Sequence, residues 1–188
     1  MAAAKKNARR AATFVFIDES GFSESSVIRR TWAPRGQTPV LRPKCRSWKR
    51  ASAIGALTYA RDGRARVLLR LQRTEVRTAH CVSFLRHLLR HVRGDVIVLW
   101  DGLAAHWARA VRDLECAQAR LSLVRLPAYA PELNPVEGLW AWTKGTALAN
   151  VCADRLPEVT GRVRRGIRRV RRRPAVLWGF LEKAGLFL

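Results

Sequence analysis

Three carboxylates occupy positions where chemistry is possible. Asp18 closes the run TFVFID, Asp101 closes DVIVLWD, and Glu137 follows an Asn-Pro step inside Leu126–Lys144, LPAYAPELNPVEGLWAWTK. Each has a plain alternative: a turn aspartate for the first two, a helix capping box for the third. Brought to one sheet edge, three such acids repel one another. Two Mg²⁺ (or Mn²⁺) ions would remove that repulsion, because Mg²⁺ takes a few hard carboxylate oxygens together with water and a substrate phosphate. Two ions about 4 Å apart can activate a water or a 3′-hydroxyl and stabilise the leaving oxygen of a phosphodiester.

The elements around these acids are legible. Thr13–Asp18 carries apolar residues on both faces, the pattern of a central strand covered on both sides, and its acid emerges with Glu19-Ser20-Gly21 toward a cleft. Asp95–Trp100 is the strongest buried-strand candidate in the chain. Gly102 then permits a tight turn, a helix is expected from about Trp107 to Ala119, and a short strand from Leu121 to Leu126. These last two strands should be parallel and joined by a right-handed crossover. In an open α/β sheet the functional crevice lies at the carboxyl ends of the strands, where Asp18 and Asp101 fall. Prolines make Pro127–Pro131 an extended loop. Asn134 is then a good N-cap, Pro135 suits the first helical position, and Glu137 falls at the third, where a carboxylate favours the positive helix end.

Elsewhere, Val27–Gln37 (VIRRTWAPRGQ) reads as a strand carrying Trp32 into a Pro-Arg-Gly turn. Trp48 and the cations Arg42, Lys44, Arg46, Lys49 and Arg50 follow in a loop that suits either a nucleic-acid backbone or open solvent. Arg61-Asp62-Gly63 between two β-like runs, Ala51–Ala60 and Arg64–Gln72, signals a hairpin. Thr78–Val92 is an amphipathic helix with Val82, Leu85, Leu88, Leu89 and Val92 inward. Its His80, His87 and His91 read as surface residues, since no carboxylate lies between the last two as in a zinc-protease motif. Leu156, Val159, Val163, Ile167 and Val170 make a further helical stripe, overlaid by eight arginines in the twelve residues from Arg162 to Arg173. That face reads as a phosphate-tracking surface against the plain alternative of a solvated one. Pro174 ends the helix, and AVLWGFLEKAGLFL folds back as a short apolar helix.

With 188 residues the chain suits one domain, and 36 Lys+Arg against 14 Asp+Glu give a net charge of +22. A polyanion is the natural partner of such a surface, and a small-metabolite substrate is disfavoured. The four cysteines form no C-x-x-C pair and read as reduced core thiols of a cytoplasmic protein. No apolar run approaches the ~20 residues of a membrane span. Residues 1–12, MAAAKKNARRAA, form a basic arm rather than a signal segment.

FIDESGF (Phe16–Phe22), TWAPRGQ (Thr31–Gln37), VIVLWDGLAAH (Val96–His106) and the Leu126–Lys144 stretch together resemble the DDE transposases, with the bacterial insertion-sequence members of the mariner superfamily as the nearest branch. The resemblance covers roughly Phe14–Lys144, and its spacing of thirty-five residues between Asp101 and Glu137 is similar to that branch. It implies an RNase H-like α/β fold, a mixed five-stranded sheet with helices on both faces. In that reading residues 13–150 are the catalytic domain and 151–188 a basic helical extension packed on it. It implies Asp18, Asp101 and Glu137 as catalytic ligands of two divalent metals, with Glu19, His106 and Asn134 in support. The activity implied is hydrolytic cleavage at transposon ends followed by 3′-hydroxyl attack on target DNA, by a homodimer, in a bacterial cytoplasm and on the nucleoid when DNA-bound. Arg35, Arg46, Lys49, Arg50, Lys144, Arg168, Arg169 and Arg172 are the expected DNA contacts. Two departures stand out. Gly102 replaces the asparagine common after the second aspartate, which removes a supporting hydrogen bond. The first catalytic strand begins by residue 14, so the family's helix-turn-helix recognition region would come from a partner chain or a frameshift fusion, or be lost by truncation. A domesticated, inactive DNA-binding remnant and an RNase H-like nuclease of another substrate are the competing readings; retention of all three acids argues against the remnant.

Overall fold

The computed structural model describes residues 12–25, 27–42 and 49–187. Five strands form one mixed sheet: β1 (Thr13–Ser23), β2 (Arg50–Tyr59), β3 (Ala65–Gln72), β4 (Val96–Trp100) and β5 (Leu121–Arg125). Their order is β3-β2-β1-β4-β5. The hairpin β2–β3 is antiparallel with Tyr59 opposite Ala65, and Gly63 takes the left-handed conformation in its loop at φ +81°. β1 is antiparallel to β2 and parallel to β4; β4 is parallel to β5, as expected.

Alternation along β1 divides the core into two layers. Phe16 and Phe22 face one way, against α3 (Pro135–Trp142), α4 (Leu156–Arg171) and α5 (Pro174–Lys183). Val15 and Ile17 face the other way, against α1 (Thr78–His91) and α2 (Arg109–Ala117). Side chains alternate with period two along a strand, so a central strand covered on both faces is apolar at nearly every position. In α1 the buried stripe is Cys81, Phe84, Leu85, Leu88 and Leu89, with Val82 only half-buried, a rotation of about one position from the expected set. Arg120 donates to the carbonyls of Leu89, Val92 and Gly94 and so satisfies the exposed end of α1.

Four local expectations are corrected. β1 does not end at Asp18 but continues to Ser23, because β2 goes on pairing with it after the parallel ladder with β4 stops at Phe16–Leu99. Val27 makes one bridge, to Ala149, and no strand follows. Two bonds between Arg29 and Asn150 pin the chain there, and Ile28 and Trp32 stay exposed with no layer to cover them. The helix after Asp101 begins later, at Arg109, behind a 3₁₀ turn at Ala104–His106. The proline-rich loop is not extended throughout: Tyr129 is left-handed at φ 57°, and Pro131–Leu133 form a second 3₁₀ turn.

The cysteines are also not uniformly core thiols. Cys81 is buried, Cys152 half-buried and Cys116 exposed; Cys45, like Lys44, Arg46, Trp48 and the arm before Ala12, lies outside the described residues. Among the described residues no helix is long and apolar enough to cross a membrane.

Candidate active site

Asp18 sits two residues past the end of the β1–β4 ladder, opposite Gly55 of β2. Asp101 directly follows β4, so both acids emerge at the same sheet edge. Glu19 joins them: one carboxylate oxygen from each of Asp18, Glu19 and Asp101 lies within 4.8 Å of the others. Glu137 stands outside that tight set, exposed in the first turn of α3, yet its charge acts on Asp18.

Asp18 is held on the α3 side of the sheet. The Trp140 indole Nε1 donates to its Oδ2 at 2.9 Å. Trp140 comes this close because β2 has no side chain at Gly55, where a Cβ would meet the indole Cη2 at 2.5 Å. Burial, then the negative charges of Glu137 and Glu19, push the Asp18 pKa from 3.8 up to about 7, against the indole bond that lowers it. A cation beside these acids would relieve that repulsion and favour the ionised form of Asp18.

Asn134 docks α3 on this strand. Its Oδ1 accepts the Val136 N–H at 3.2 Å and its Nδ2 donates to the Ile17 carbonyl at 3.1 Å. The expected cap thus also fixes the helix beside Asp18, a long-range bond that no local pattern carries.

Asp101 is held by different means. Its Oδ1 accepts the Leu103 N–H at 3.0 Å and contacts His106 Nδ1 at 2.6 Å, while its carbonyl accepts the Trp107 Nε1–H at 2.7 Å. His106 is buried and stacks on Trp100, ring centroids 4.0 Å apart. Its Nε2 lies 3.1 Å from Glu19 Oε1. Burial pulls the imidazole pKa down, but bonding to Cys81 and Glu19 and the charges of Glu19 and Asp101 outweigh it, and the pKa rises to about 10. An imidazolium therefore bridges the two carboxylates. Cys81, His106 and Glu19 come within 4.8 Å of one another, a grouping that spacing along the chain did not reveal.

Gly102 proves to be a packing position. A Cβ there would stand 2.3 Å from the Arg125 guanidinium, which donates to the Gly102 carbonyl at 3.0 Å and lies over the Trp107 ring at 5.9 Å from its centroid. Arg125 fills the space that a larger residue would take.

The other expected contacts are dispersed. Arg35 sits in the exposed Pro34–Gln37 turn, and Lys144 in the π-helical turn after α3, its ammonium 5.9 Å from the Phe22 ring centroid. Arg168 and Arg169 lie on the exposed face of α4 and Arg172 just past its end. Arg171 is structural in part, donating to the Val67 carbonyl. Trp140, Gly55 and Arg125 are the site residues that sequence reasoning missed. The signal for the first was present in principle, since an indole one turn beyond Glu137 shares its side of α3.

The acid cluster fits a hard divalent cation on its own terms. It combines three convergent carboxylates with an Asp18 whose pKa is raised to about 7 by burial and by the charges of Glu137 and Glu19. Residues 13–160 match the DDE superfamily endonuclease family, and the chain belongs to it. Its fold is similar to that of the Mos1 strand transfer complex (TM-score 0.57, 22% identity, 100% of this chain and 58% of that one). It is similar also to the Mos1 mariner paired end complex with Mn (TM-score 0.56, 21% identity, 93% of this chain and 56% of that one). The catalytic domain of Mos1 mariner transposase gives a TM-score of 0.53 at 19% identity over 100% of this chain and 89% of that one. These likenesses establish the expected RNase H-like fold, and this chain spans 58% of the length of the Mos1 chain in the strand transfer complex. No curated protein matches the sequence.

Proposed function

We propose that this chain is the catalytic domain of a DDE transposase of the mariner-like superfamily, cleaving DNA strands and joining 3′-hydroxyl ends to target DNA. The observation that carries the reading is the convergence of Asp18 and Asp101 at one sheet edge, with Glu137 acting on Asp18 from the first turn of α3. Asp18, Asp101 and Glu137 would hold two Mg²⁺ or Mn²⁺ ions; the Mos1 paired end complex described with Mn supports that choice. The chemistry such cations supply is activation of a water or 3′-hydroxyl and neutralisation of the leaving oxygen.

The chain's own residues set up that chemistry. Trp140 fixes one Asp18 oxygen and leaves the other for a ligand. His106 fixes Asp101 and offsets the negative charge of Asp101 and Glu19, so the acids stay together without collapse or repulsion. Gly102 and Arg125 place a guanidinium beside the Asp101 turn, where a phosphate would meet it. Arg35, Lys49, Arg50, Lys144, Arg168, Arg169 and Arg172 serve the DNA backbone through charge, which makes binding steeply salt-dependent. Transposon ends and target DNA are the partners, with a homodimer, a helix-turn-helix recognition region and an insertion-sequence origin in a bacterial cytoplasm as parts of the same proposal.

The test is nicking of end-labelled duplex in Mg²⁺ or Mn²⁺ by the wild type and by Asp18→Asn, with a recognition region supplied in trans. Cleavage confined to the wild type supports the reading. Equal cleavage by both sinks it.

A further inference from the structure

An open groove of about 1060 Å³ lies between the ends of β2 and β3 and the start of α4. Lys49, Arg50, Arg73, Arg155 and Arg164 line it, with the carboxylates Glu24 and Asp154. Glu24 is 4% exposed, so the open surface of the groove is mainly cationic. Among the described residues Arg50, Arg73, Arg155 and Arg164 form no ion pair, whereas Arg64, Arg109 and Arg162 pair with Asp62, Asp113 and Glu158. The walls are rigid, because β2, β3 and α4 share one hydrophobic core. Rigid walls that hold like charges together carry a standing repulsion, which a polyanion relieves with release of its counterions.

The position of the groove indicates which polyanion. Asp18 pairs with Gly55 and Ser23 with Arg50. Five residues of strand therefore separate the acids from the groove, about 17 Å at the rise of an extended chain. That is about half a turn of B-form DNA. We propose that the groove binds the phosphate backbone of duplex DNA about half a helical turn from the phosphodiester held at the acid cluster. The proposal rests on the function inferred above. Lys49 and Arg50 then act together with Arg73, Arg155 and Arg164, which the sequence did not single out, while Arg168, Arg169 and Arg172 lie outside the groove.

The test measures affinity for a mixed-sequence 30-base-pair duplex against NaCl concentration, by fluorescence anisotropy, on the full chain. Arg73→Ala/Arg155→Ala/Arg164→Ala should reduce the slope of log K against log salt by about 2 to 3, near 0.9 for each phosphate left without its arginine. The three-lysine version should retain most of that slope. An equal charge change on the other layer of the protein, Arg86→Ala/Arg90→Ala/Arg93→Ala, should reduce it by less than about 1. An unchanged slope in the groove variant overturns the proposal, as does an equal loss in both alanine variants, which would mean that net charge alone acts. Mn²⁺ binding by the groove variant separates the two inferences. The acids should bind as in the wild type, and their failure to do so in the wild type would count against the metal reading while leaving the groove result to stand.

Discussion

Asp18 and Asp101 stand on neighbouring strands of one sheet, and the protein holds them by opposite means. Asp18 lies within the ladder of a central strand, partly buried, with a neutral indole as donor and two carboxylates nearby. Its electrostatics favour a proton. Asp101 lies in the turn after β4, more open, with an imidazolium against its side chain and a backbone N–H beside it. It already has a counter-cation. The contrast teaches that the pair is a half-neutralised site: one acid is balanced by the fold, and the other waits for a cation from outside.

The largest effect that tests this contrast is on chemistry. Asp101→Ala should reduce cleavage to background while leaving duplex affinity within about threefold, because the basic surface supplies the affinity through its phosphate contacts. Parallel loss of both would assign Asp101 a folding role.

The Asp18 side breaks through packing. Gly55→Ala puts a methyl 2.5 Å from the Trp140 ring, so the indole or β2 must move. A loss of about 1–3 kcal/mol is expected in urea unfolding. The same variant should lose cleavage even under conditions where it is folded, since the Trp140–Asp18 bond goes with the indole.

A third test uses pH without metal. The folded Asp18 pKa is about 7 against 3.8 for the free group, so its contribution to stability is complete below 3.8 and is lost as pH rises through 7. The folded His106 pKa is about 10 against 6.5, so its contribution is complete below 6.5 and lost as pH rises through 10. In EDTA the melting temperature should therefore fall steadily from pH 5 to pH 9. Asp18→Asn should remove most of the fall below pH 7 and raise the melting temperature at pH 7 by roughly 5 °C. A flat profile in the wild type would contradict the half-neutralised site.

The smallest expected effect is at Gly102. Gly102→Asn displaces only the end of a flexible exposed arginine, so stability should change by less than about 0.5 kcal/mol. Arg125→Ala should then have no further effect on cleavage in the Gly102→Asn background, though it lowers cleavage in the wild type; a full additional loss would separate Arg125 from the turn.

What could be read from the sequence followed local rules. Strands that are apolar at every position announced themselves, and an acid at the end of Val96–Trp100 pointed to the edge of the sheet. Asn134, Pro135 and Glu137 spelled a helix start that the structure reproduces. What was missed depends on partners distant in the chain. Val27–Trp32 has β-forming residues, but a strand needs a neighbour, and only Val27 finds one. Trp140 and Asp18 meet across 122 residues, and they can do so only because Gly55 leaves room. Glu19 and Asp18 are adjacent in sequence yet serve opposite faces, with His106 and Cys81 on one and Trp140 on the other. The period-two rule already contained that division, but not the identity of the residues on either side.

The most direct test of the central claim is calorimetric titration of Mn²⁺ into the purified chain at pH 7, beside Asp101→Ala, with and without duplex DNA. Saturable binding is expected in the wild type, accompanied by proton release from Asp18, with loss of that binding in the variant. No binding to the wild type in either the presence or the absence of duplex would contradict it.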